Sequence, residues 1–448
     1  GFGDPRPSSK KMVGTFTLSS EQLSSQDFYD FGMRAVKSVI NAAGLLKRAD
    51  PFGEEETLVM RAVLDVNRPK FLKDDLLLFQ GIISDLFPGT KEPPRSYGKL
   101  MEAIVNRCAQ NNLQAIDAFT GKCIQLYETT TVRHGLMLVG PAGGGKTQVM
   151  KILAEALSEC NGIENFVTTR RYIMNPKAIT MGQLYGSFDE NTHEWTDGIL
   201  STMVRQCTYE ENEDKKWVVC DGPVDAIWIE NMNTVLDDNK KLCLVSGEII
   251  KLSPTICMQF EVEDLAVASP ATVSRCGMIY VEPQALGVKV LCTSWLERLP
   301  EPFKPFGDKF ENLFDTFVEA ALLYLRRNLV EICPTVDNCL VRGLFKILDA
   351  QIALYLAPAE GEEEVDKGKP ADIVEGAFIF ALIWSVGATC DHSGRPKFDK
   401  FLRDTANENG LASTLVPGKG DESESCYDVQ FHLALRKWCG WFDTRKAF

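Results

Sequence analysis

The spacing of hydrophobic residues predicts helices through residues 19–86 of the chain. An apolar stripe runs through residues 31–40 and leaves Arg34 and Lys37 off it. Residues 54–67 and 74–87 repeat this amphipathic pattern. Proline and glycine cluster in residues 88–94, as is typical of a linker. Residues 1–7 are polar and predict a turn rather than a helix.

The middle of the chain alternates strand and helix patterns. Residues 97–128 have helical spacing and lead into a short apolar run at residues 134–139, which predicts a buried strand. Alternation continues to about residue 283 and predicts an α/β domain with a mostly parallel sheet. Residues 184–198 form a turn-rich insertion, and residues 242–252 predict a β-hairpin with Ser-Gly at its turn.

Beyond residue 286 the pattern predicts helices and no further strands. Residues 288–357 and 373–390 are largely helical in spacing, and residues 360–370 and 417–425 predict solvated loops. The longest apolar run, residues 376–384, is too short to span a bilayer and predicts a buried core helix. The order is therefore a helical part, an α/β part and a second helical part, without a membrane segment.

Composition narrows the function classes. The 448 residues are 45 % hydrophobic and 25 % charged, which is ordinary for a soluble globular protein. A net charge of −14 without a basic stripe argues against nucleic-acid binding. Fourteen cysteines without a C-x-x-C pair, and only four histidines, predict reduced buried thiols of a cytosolic protein. The chain lacks an initial Met and a signal peptide and ends in mid-pattern, so we expect a piece of a longer protein.

One motif predicts nucleotide binding. The sequence G-P-A-G-G-G-K-T has the spacing of a P-loop and lies between a predicted strand and a predicted helix. Its backbone N–H groups would cradle phosphates, its lysine would face the β- and γ-phosphates, and its threonine hydroxyl would hold Mg²⁺. The expected ligand is ATP or ADP with Mg²⁺. The residues of this site are Gly140, Pro141, Ala142, Gly143, Gly144, Gly145, Lys146 and Thr147, followed by Gln148.

The acidic partner of the P-loop is predicted at Asp221. This residue ends the apolar run 217–220, where a second Mg²⁺ ligand is expected, although it could instead cap the following helix. Hydrolysing P-loop ATPases of the AAA+ class usually place Glu at the next position, where it polarises the attacking water. Here the residue is Gly222, so we expect binding without efficient hydrolysis unless Asp225 or Glu230 reaches back as a base.

An arginine follows a short predicted helix near residue 275. Arg275 lies just before the predicted strand 278–281. It could be an arginine finger directed at the phosphates of a neighbouring module, or a cation that complements the helix dipole. Spacing alone leaves both interpretations open.

Several long segments together resemble the motor region of a dynein heavy chain. They include N-P-K-A-I, L-Y-G and E-W-T-D-G in the middle of the chain, and the P-loop itself. The longest are YDFGMRAVKS at residues 29–38, WIENMNTVLDDNK at 228–240 and ATVSRCG at 271–277. The amino-acid sequence at residues 231–233 and 246–248 is more similar to axonemal than to cytoplasmic dyneins.

The resemblance implies a layout. Residues 1–90 would be the C-terminal helical small subdomain of the first AAA+ module with its linker, 91–285 the α/β large subdomain of the second, and 286–448 the helical small subdomain of the second. The first module would be the main ATPase, and the second would bind nucleotide with little or no turnover. The insertions near 184–198 and 242–252 would meet the motor linker element. The implied location is the cytoplasm and cytoskeleton, in the axoneme of a cilium or flagellum.

The resemblance also implies residue roles. Arg34 matches a sensor of the first module's nucleotide, Arg275 matches the finger offered to that same site, and Arg342 is a candidate sensor for the second module. Partners would be the neighbouring AAA+ modules, and microtubules only through parts absent from this sequence. Two alternatives stay open, an independently active AAA+ ATPase that assembles as a homo-ring and a structural spacer that binds no nucleotide.

Overall fold

The chain forms two compact units. The computed structural model describes residues 2–90, 97–163, 166–237, 239–357, 369–411, 415–417 and 424–441. One unit comprises residues 1–111 and 115–285, and the other comprises residues 112–114 and 286–448. No described helix is long and apolar enough to cross a membrane.

The first unit begins with four amphipathic helices around their own core. Phe16, Val39, Val63 and Phe79 are among the side chains buried there. Residues 1–7 do not form the predicted turn, because a helix begins at Pro5. Asp4 caps that helix by accepting a hydrogen bond from the Arg6 N–H, and proline is well tolerated in a first turn. The helices are α1 (Pro5–Gln22), α2 (Met33–Ala49), α3 (Glu55–Asn67) and α4 (Lys73–Leu86).

The rest of the first unit is an α/β domain. Its helices are α5 (Gly98–Gln110), α6 (Asp117–Val132), α7 (Lys146–Glu159), α8 (Met181–Tyr185), α9 (Ile199–Tyr209), α10 (Ala226–Glu230), α11 (Asn233–Leu236) and α12 (Pro270–Val273). Its strands are β1 (Gly135–Val139), β2 (Thr169–Met174), β3 (Gly186–Phe188), β4 (Trp195–Asp197), β5 (Lys215–Asp221), β6 (Lys241–Cys243), β7 (Ile249–Lys251), β8 (Ile256–Val262) and β9 (Gly277–Tyr280).

Five of these strands form one parallel sheet in the order β2-β5-β8-β1-β9, which confirms the predicted α/β class. β8 lies between β1 and β5, and every residue of β8 is buried, so its side chains are enclosed on both faces. Because all five strands are parallel, their carboxyl ends share one edge of the sheet. The P-loop follows β1 and Asp221 ends β5, so both lie at that edge.

Two antiparallel hairpins leave the sheet. β6 pairs with β7, as predicted, and Gly247 in the turn has a φ of 89°. β3 pairs with β4 inside the predicted insertion. The cysteines are all free, but Cys243, Cys333 and Cys339 are exposed rather than buried as predicted, and Cys439 is only partly buried. The helix expected to follow Asp221 is divided into α10 and α11, separated by a turn at residues 231–232.

The second unit is mainly helical, but the expectation of no further strands was wrong. Val429–His432 and Lys437–Gly440 form an antiparallel hairpin, and each strand is only four residues long, too short for a clear alternating pattern. The Phe431 ring packs on Gly376, where an added Cβ would lie 2.1 Å from it. The elements are α13 (Pro283–Leu286), α14 (Lys289–Glu297), α15 (Gly307–Asn328), α16 (Asp337–Leu356), α17 (Val374–Ser385), α18 (Arg395–Glu408), β10 (Val429–His432) and β11 (Lys437–Gly440).

The predicted apolar segment in this unit is α17, which is buried along most of its length, as expected of a core helix. The solvated loops predicted at residues 360–370 and 417–425 lie for the most part outside the described residues, as does most of the predicted linker at 88–94.

Candidate functional site

The P-loop connects β1 to α7 through a tight turn that requires glycine. Gly140 has a φ of 148°, and a Cβ there would lie 2.2 Å from the Val281 carbonyl oxygen. A Cβ on Gly144 would lie 2.9 Å from the same oxygen, and Gly145 has a φ of 93° where α7 begins. Side chains at these positions would therefore collide with the strand end or strain the backbone. The loop backbone is left open for close approach by a phosphate.

Lys146 and Thr147 begin α7 and point in different directions. The Lys146 ammonium is buried and donates to the carbonyl oxygens of Gly140 at 2.6 Å and Pro141 at 3.1 Å. The Thr147 hydroxyl donates to Glu261 Oε1 at 2.5 Å. The helix N-terminus adds a partial positive charge to the same place. The binding of a phosphate by Lys146 and of a metal ion by Thr147 stays a prediction from the motif.

Asp221 stands beside a carboxylate that the sequence did not single out. Asp221 and Glu261 are paired residues on the neighbouring parallel strands β5 and β8, so their side chains leave the same face of the sheet. Burial raises the pKa of the Glu261 carboxyl, and the charge of Asp221 raises it further. A signal was present in the sequence, because Glu261 is the one acid within the mostly apolar run 256–262.

The position after Asp221 has no room for a larger side chain as the neighbours now stand. A Cβ on Gly222 would lie 2.6 Å from Asn175 Oδ1, which accepts a hydrogen bond from the Lys177 N–H. Asp225 caps α10 and forms an ion pair with Lys177, whose hydrogen bond lowers the pKa of Asp225. These contacts argue against a catalytic base at Asp225.

Glu230, the other candidate base, is exposed at the end of α10. Its side chain has no contact with Asp221 among the interactions of the described residues. Asp221 does not cap a helix, because the N-cap of α10 is Asp225.

These residues fit a magnesium nucleotide on three grounds. The glycine cradle is one that a Cβ would fill. Buried Glu261 Oε2 has no hydrogen-bond partner among the described residues. The side-chain groups near Thr147 and Asp221 are oxygen donors, which Mg²⁺ prefers.

Arg34 and Arg275 meet on a single carboxylate. Arg275 Nε lies 2.6 Å from Asp237 Oδ1, and an Arg34 guanidinium nitrogen lies 3.6 Å from the same oxygen. Arg34 comes from the start of α2 and Arg275 from the residues between α12 and β9, so the fold joins segments far apart in sequence. Arg133 donates to the Arg275 carbonyl oxygen at 3.2 Å and thereby supports the backbone there.

The two arginines line an open cavity with a strongly cationic wall. The cavity is about 360 Å³ in volume and is also lined by Lys37 and Arg133. Asp237 is its one acidic residue within the part of the chain that the structure describes. The Arg34 side chain is 44 % exposed and therefore accessible to an anion from outside the chain. We name Arg34, Asp237 and Arg275 the arginine cluster.

The arginine cluster and the P-loop lie at opposite edges of the sheet. Gly277, at the start of β9, pairs with Leu136, at the start of β1. Arg275 therefore precedes the strands, whereas the P-loop follows Val139 at their other end. Five residues of strand separate the two edges by about 16 Å. Arg275 cannot reach a phosphate bound to the P-loop of the same sheet.

Arg342 lies in the second unit, on α16, and its side chain is exposed. Its role as a sensor of the second module stays a prediction.

The two insertions are joined by an arginine. Arg205 on α9 bonds to Asp197 of β4 at 2.8 Å and to Glu248, in the β6–β7 turn, at 2.7 Å. The hydrogen bonds from Glu248 and Asp197 raise the pKa of Arg205, which stays charged. Phe188 and Val245, one on each hairpin, are exposed apolar side chains.

Comparison with known families matches three segments of the chain. The hydrolytic ATP binding site of the dynein motor region matches residues 1–147. The AAA domain of the dynein-related subfamily matches residues 135–276, and the dynein heavy chain AAA lid domain matches residues 310–443. The lid match falls within the second compact unit, and the AAA match covers every strand of the five-stranded sheet except β9.

Individual relatives are similar over most or all of the chain. Human dynein axonemal heavy chain 1 is 52 % identical, covering 100 % of this chain and 11 % of that protein. Its rat counterpart is 53 % identical, covering 90 % of this chain and 9 % of that protein. Mouse dynein axonemal heavy chain 12 is 44 % identical, covering 100 % of this chain and 15 % of that protein. The predicted resemblance to axonemal heavy chains is confirmed, and the chain belongs to the dynein heavy chain family as part of its AAA+ motor region.

Proposed function

We propose that this chain binds MgATP or MgADP with little or no hydrolysis, and that it completes the ATPase site of a preceding AAA+ module. The observation that carries the proposal is the position of the arginine cluster at the edge of the sheet opposite the P-loop. Its guanidinium groups face an open cavity, so the phosphate they serve belongs to a neighbouring module rather than to this one.

Within the P-loop site, each group has a defined task. The loop amides and Lys146 would bind the phosphates, while Thr147 and Asp221 would hold Mg²⁺. Bound Mg²⁺ supplies positive charge between the phosphate oxygens. Gly222 has no side chain to orient a water molecule, so the residues present bind nucleotide without a general base at that position.

At the neighbouring site, Arg275 and Arg34 would stabilise charge that develops on the phosphates during transfer. Asp237 holds both guanidinium groups near each other, and Arg133 supports the Arg275 backbone. The nucleotide held at the P-loop would regulate that catalysis. We further propose the cilium or flagellum axoneme as the location, from similarity to axonemal heavy chains. Partners would be the neighbouring AAA+ modules and the linker element, with microtubules bound elsewhere in the heavy chain.

The test replaces the two arginines within a complete heavy chain. We expect Arg275→Ala to lower steady-state ATP hydrolysis by about 10³-fold, as for other arginine fingers, and Arg34→Ala to lower it as well. Arg48→Ala changes an exposed arginine of the same helix α2 and should leave hydrolysis unchanged. Binding of ADP to the P-loop site of this chain should be unaffected by all three. Full hydrolysis by the Arg275→Ala heavy chain would contradict the proposal.

A further inference from the structure

Glu261 has a buried oxygen that the fold does not satisfy. The residue is 8 % exposed, and its Oε1 accepts the hydrogen bond from the Thr147 hydroxyl. Its Oε2 is buried without a hydrogen-bond partner among the described residues. A buried carboxylate oxygen without a partner is costly, since burial removes its hydration without replacing it. Such an atom beside a P-loop points to a cation or a proton donor that is supplied from outside the chain.

The surroundings of Glu261 favour a cation. Asp221 is its paired neighbour on β5, and adjacent strands are about 4.8 Å apart, so two carboxylates lie side by side on one face. Like charges this close repel each other, and a divalent cation between them would offset the repulsion. With the Thr147 hydroxyl, the two carboxylates present oxygen ligands only, the set that a hard cation prefers.

We propose that Glu261 is a third protein group of the Mg²⁺ site, which shares the cation with Thr147 and Asp221 directly or through a metal-bound water. The proposal rests on the proposed nucleotide binding at the P-loop and adds a residue to it. Glu261 then has two roles, since it orients the Thr147 hydroxyl and its negative charge attracts the metal ion. Nucleotide binding to this module would consequently depend on Mg²⁺ more strongly than it would if Asp221 were the only carboxylate at the metal site.

The test is Glu261→Gln in the full chain. Glutamine keeps an oxygen that can accept the Thr147 hydrogen bond but replaces the unpaired oxygen by an NH₂ group, which cannot bind Mg²⁺. Dissociation constants for ADP are measured by calorimetry with Mg²⁺ and with EDTA, and their ratio gives the enhancement due to the metal. Glu263→Gln is the matched control, because it removes the same charge from an exposed position two residues further along. Asp221→Asn is the positive control.

We expect Glu261→Gln to lower the metal enhancement by about tenfold or more, the usual effect of losing a ligand or a supporting carboxylate. Its affinity for ADP in EDTA should be unchanged or higher, since one negative charge near the phosphates is gone. Glu263→Gln should match the wild type. Urea unfolding without nucleotide checks that each variant is folded.

Two outcomes would overturn the inference. The metal enhancement of Glu261→Gln could stay within twofold of the wild type, which would limit Glu261 to orienting Thr147. Alternatively, ADP affinity could fall equally with and without Mg²⁺, which would make Glu261 a support of the loop alone. Failure of the proposed function is distinct from both, because the wild-type chain would then bind no ADP under either condition.

Discussion

The residues around Gly222 explain why this module should hold nucleotide without consuming it. A side chain at Gly222 would need the space that the Asn175 amide occupies, and Asn175 is itself engaged in capping its own turn. Asp225 forms an ion pair with Lys177 and accepts a hydrogen bond from the Ile227 N–H at the start of α10. Asp225 thus has a structural role, and position 222 itself carries no side chain that could act as a base.

At the residue scale, we predict that the chain hardly turns over ATP. The chain should bind radiolabelled ATP and release it unhydrolysed, with turnover near the uncatalysed rate. Lys146→Ala removes a charge-assisted contact and should weaken binding by about 10- to 100-fold, or about 1.5–3 kcal/mol. Lys151→Ala, which removes a lysine of the same helix that forms an ion pair with Glu155, serves as the control. Turnover that Asp225→Asn or Glu230→Gln abolishes would instead support an independently active ATPase, and binding of no ATP would support a structural spacer.

At the scale of secondary-structure elements, helix α9 holds the β3–β4 and β6–β7 hairpins together. Arg205 is the bridge, because its guanidinium bonds to Asp197 of one hairpin and to Glu248 of the other. A planar guanidinium can satisfy two carboxylates at once, whereas a lysine ammonium acts as a point charge. The hairpins should therefore move as one body, which matters if they meet the linker element as proposed.

Hydrogen exchange can test this coupling. We expect Arg205→Lys to raise amide exchange in β3–β4 and β6–β7 together, since the bridge loses its second partner. The stability loss should be small, about 1 kcal/mol, because the side chains are partly exposed. Arg170→Lys is the control, since Arg170 forms its ion pair with Asp214, which belongs to neither hairpin. Exchange that rises in one hairpin only would show that the two are independent.

At the scale of the whole first unit, an aromatic contact joins the N-terminal helical part to the sheet, and polar contacts hold the neighbouring residues of that part together. Phe28 stacks on Tyr280 of β9 with ring centroids 4.7 Å apart. The Tyr29 hydroxyl donates to Asp75 at 2.7 Å. Lys70 is buried nearby and donates to the Asp30 carbonyl oxygen at 2.8 Å. This packing explains why residues 1–111 and 115–285 form one unit although the sequence suggests a boundary near residue 90.

Lys70 gives this junction a dependence on pH. Burial lowers the pKa of Lys70 to about 7. The charge of Asp30 raises this pKa, and the charge of Arg133 lowers it further. The cavity beside it is also lined by Asp65 and Glu128. The unfolded ammonium has a pKa of about 10.4. Between about pH 7 and pH 10, Lys70 therefore binds a proton in the unfolded chain but not in the folded chain, so this group by itself makes stability rise with pH by up to about 1.4 kcal/mol per unit.

Lys70→Met should remove the contribution of Lys70 to this slope, because no proton is then exchanged at residue 70 on unfolding. Urea midpoints for the first unit, followed by hydrogen exchange of β9 amides from pH 7 to pH 10, provide the measurement. Lys73→Met is the matched control, since Lys73 is exposed at the start of α4 and should leave the slope as it is. Equal slopes in the wild type and Lys70→Met would refute the role of Lys70.

Local patterns were predictable because they depend on neighbours in sequence. The P-loop, the strand before it, the helix after it, the hairpin at Gly247 and the parallel sheet all follow from spacing and turn chemistry. Errors arose where the pattern was short or unusual. The helix from Pro5 was missed because its start looks like a turn, and the hairpin ending at Gly440 was missed because its strands are brief.

By itself, the sequence determined the family, the α/β core, the P-loop residues and the missing acid at Gly222, since each is written in consecutive residues. Only the tertiary structure brought Glu261 to Thr147, Asn175 to Gly222, and Arg34 to Arg275 across Asp237. These neighbours come from different strands and helices, and strand order and register decide which of them meet. The opposite edges taken by the P-loop and the arginine cluster follow from the same parallel topology, which a linear pattern does not contain.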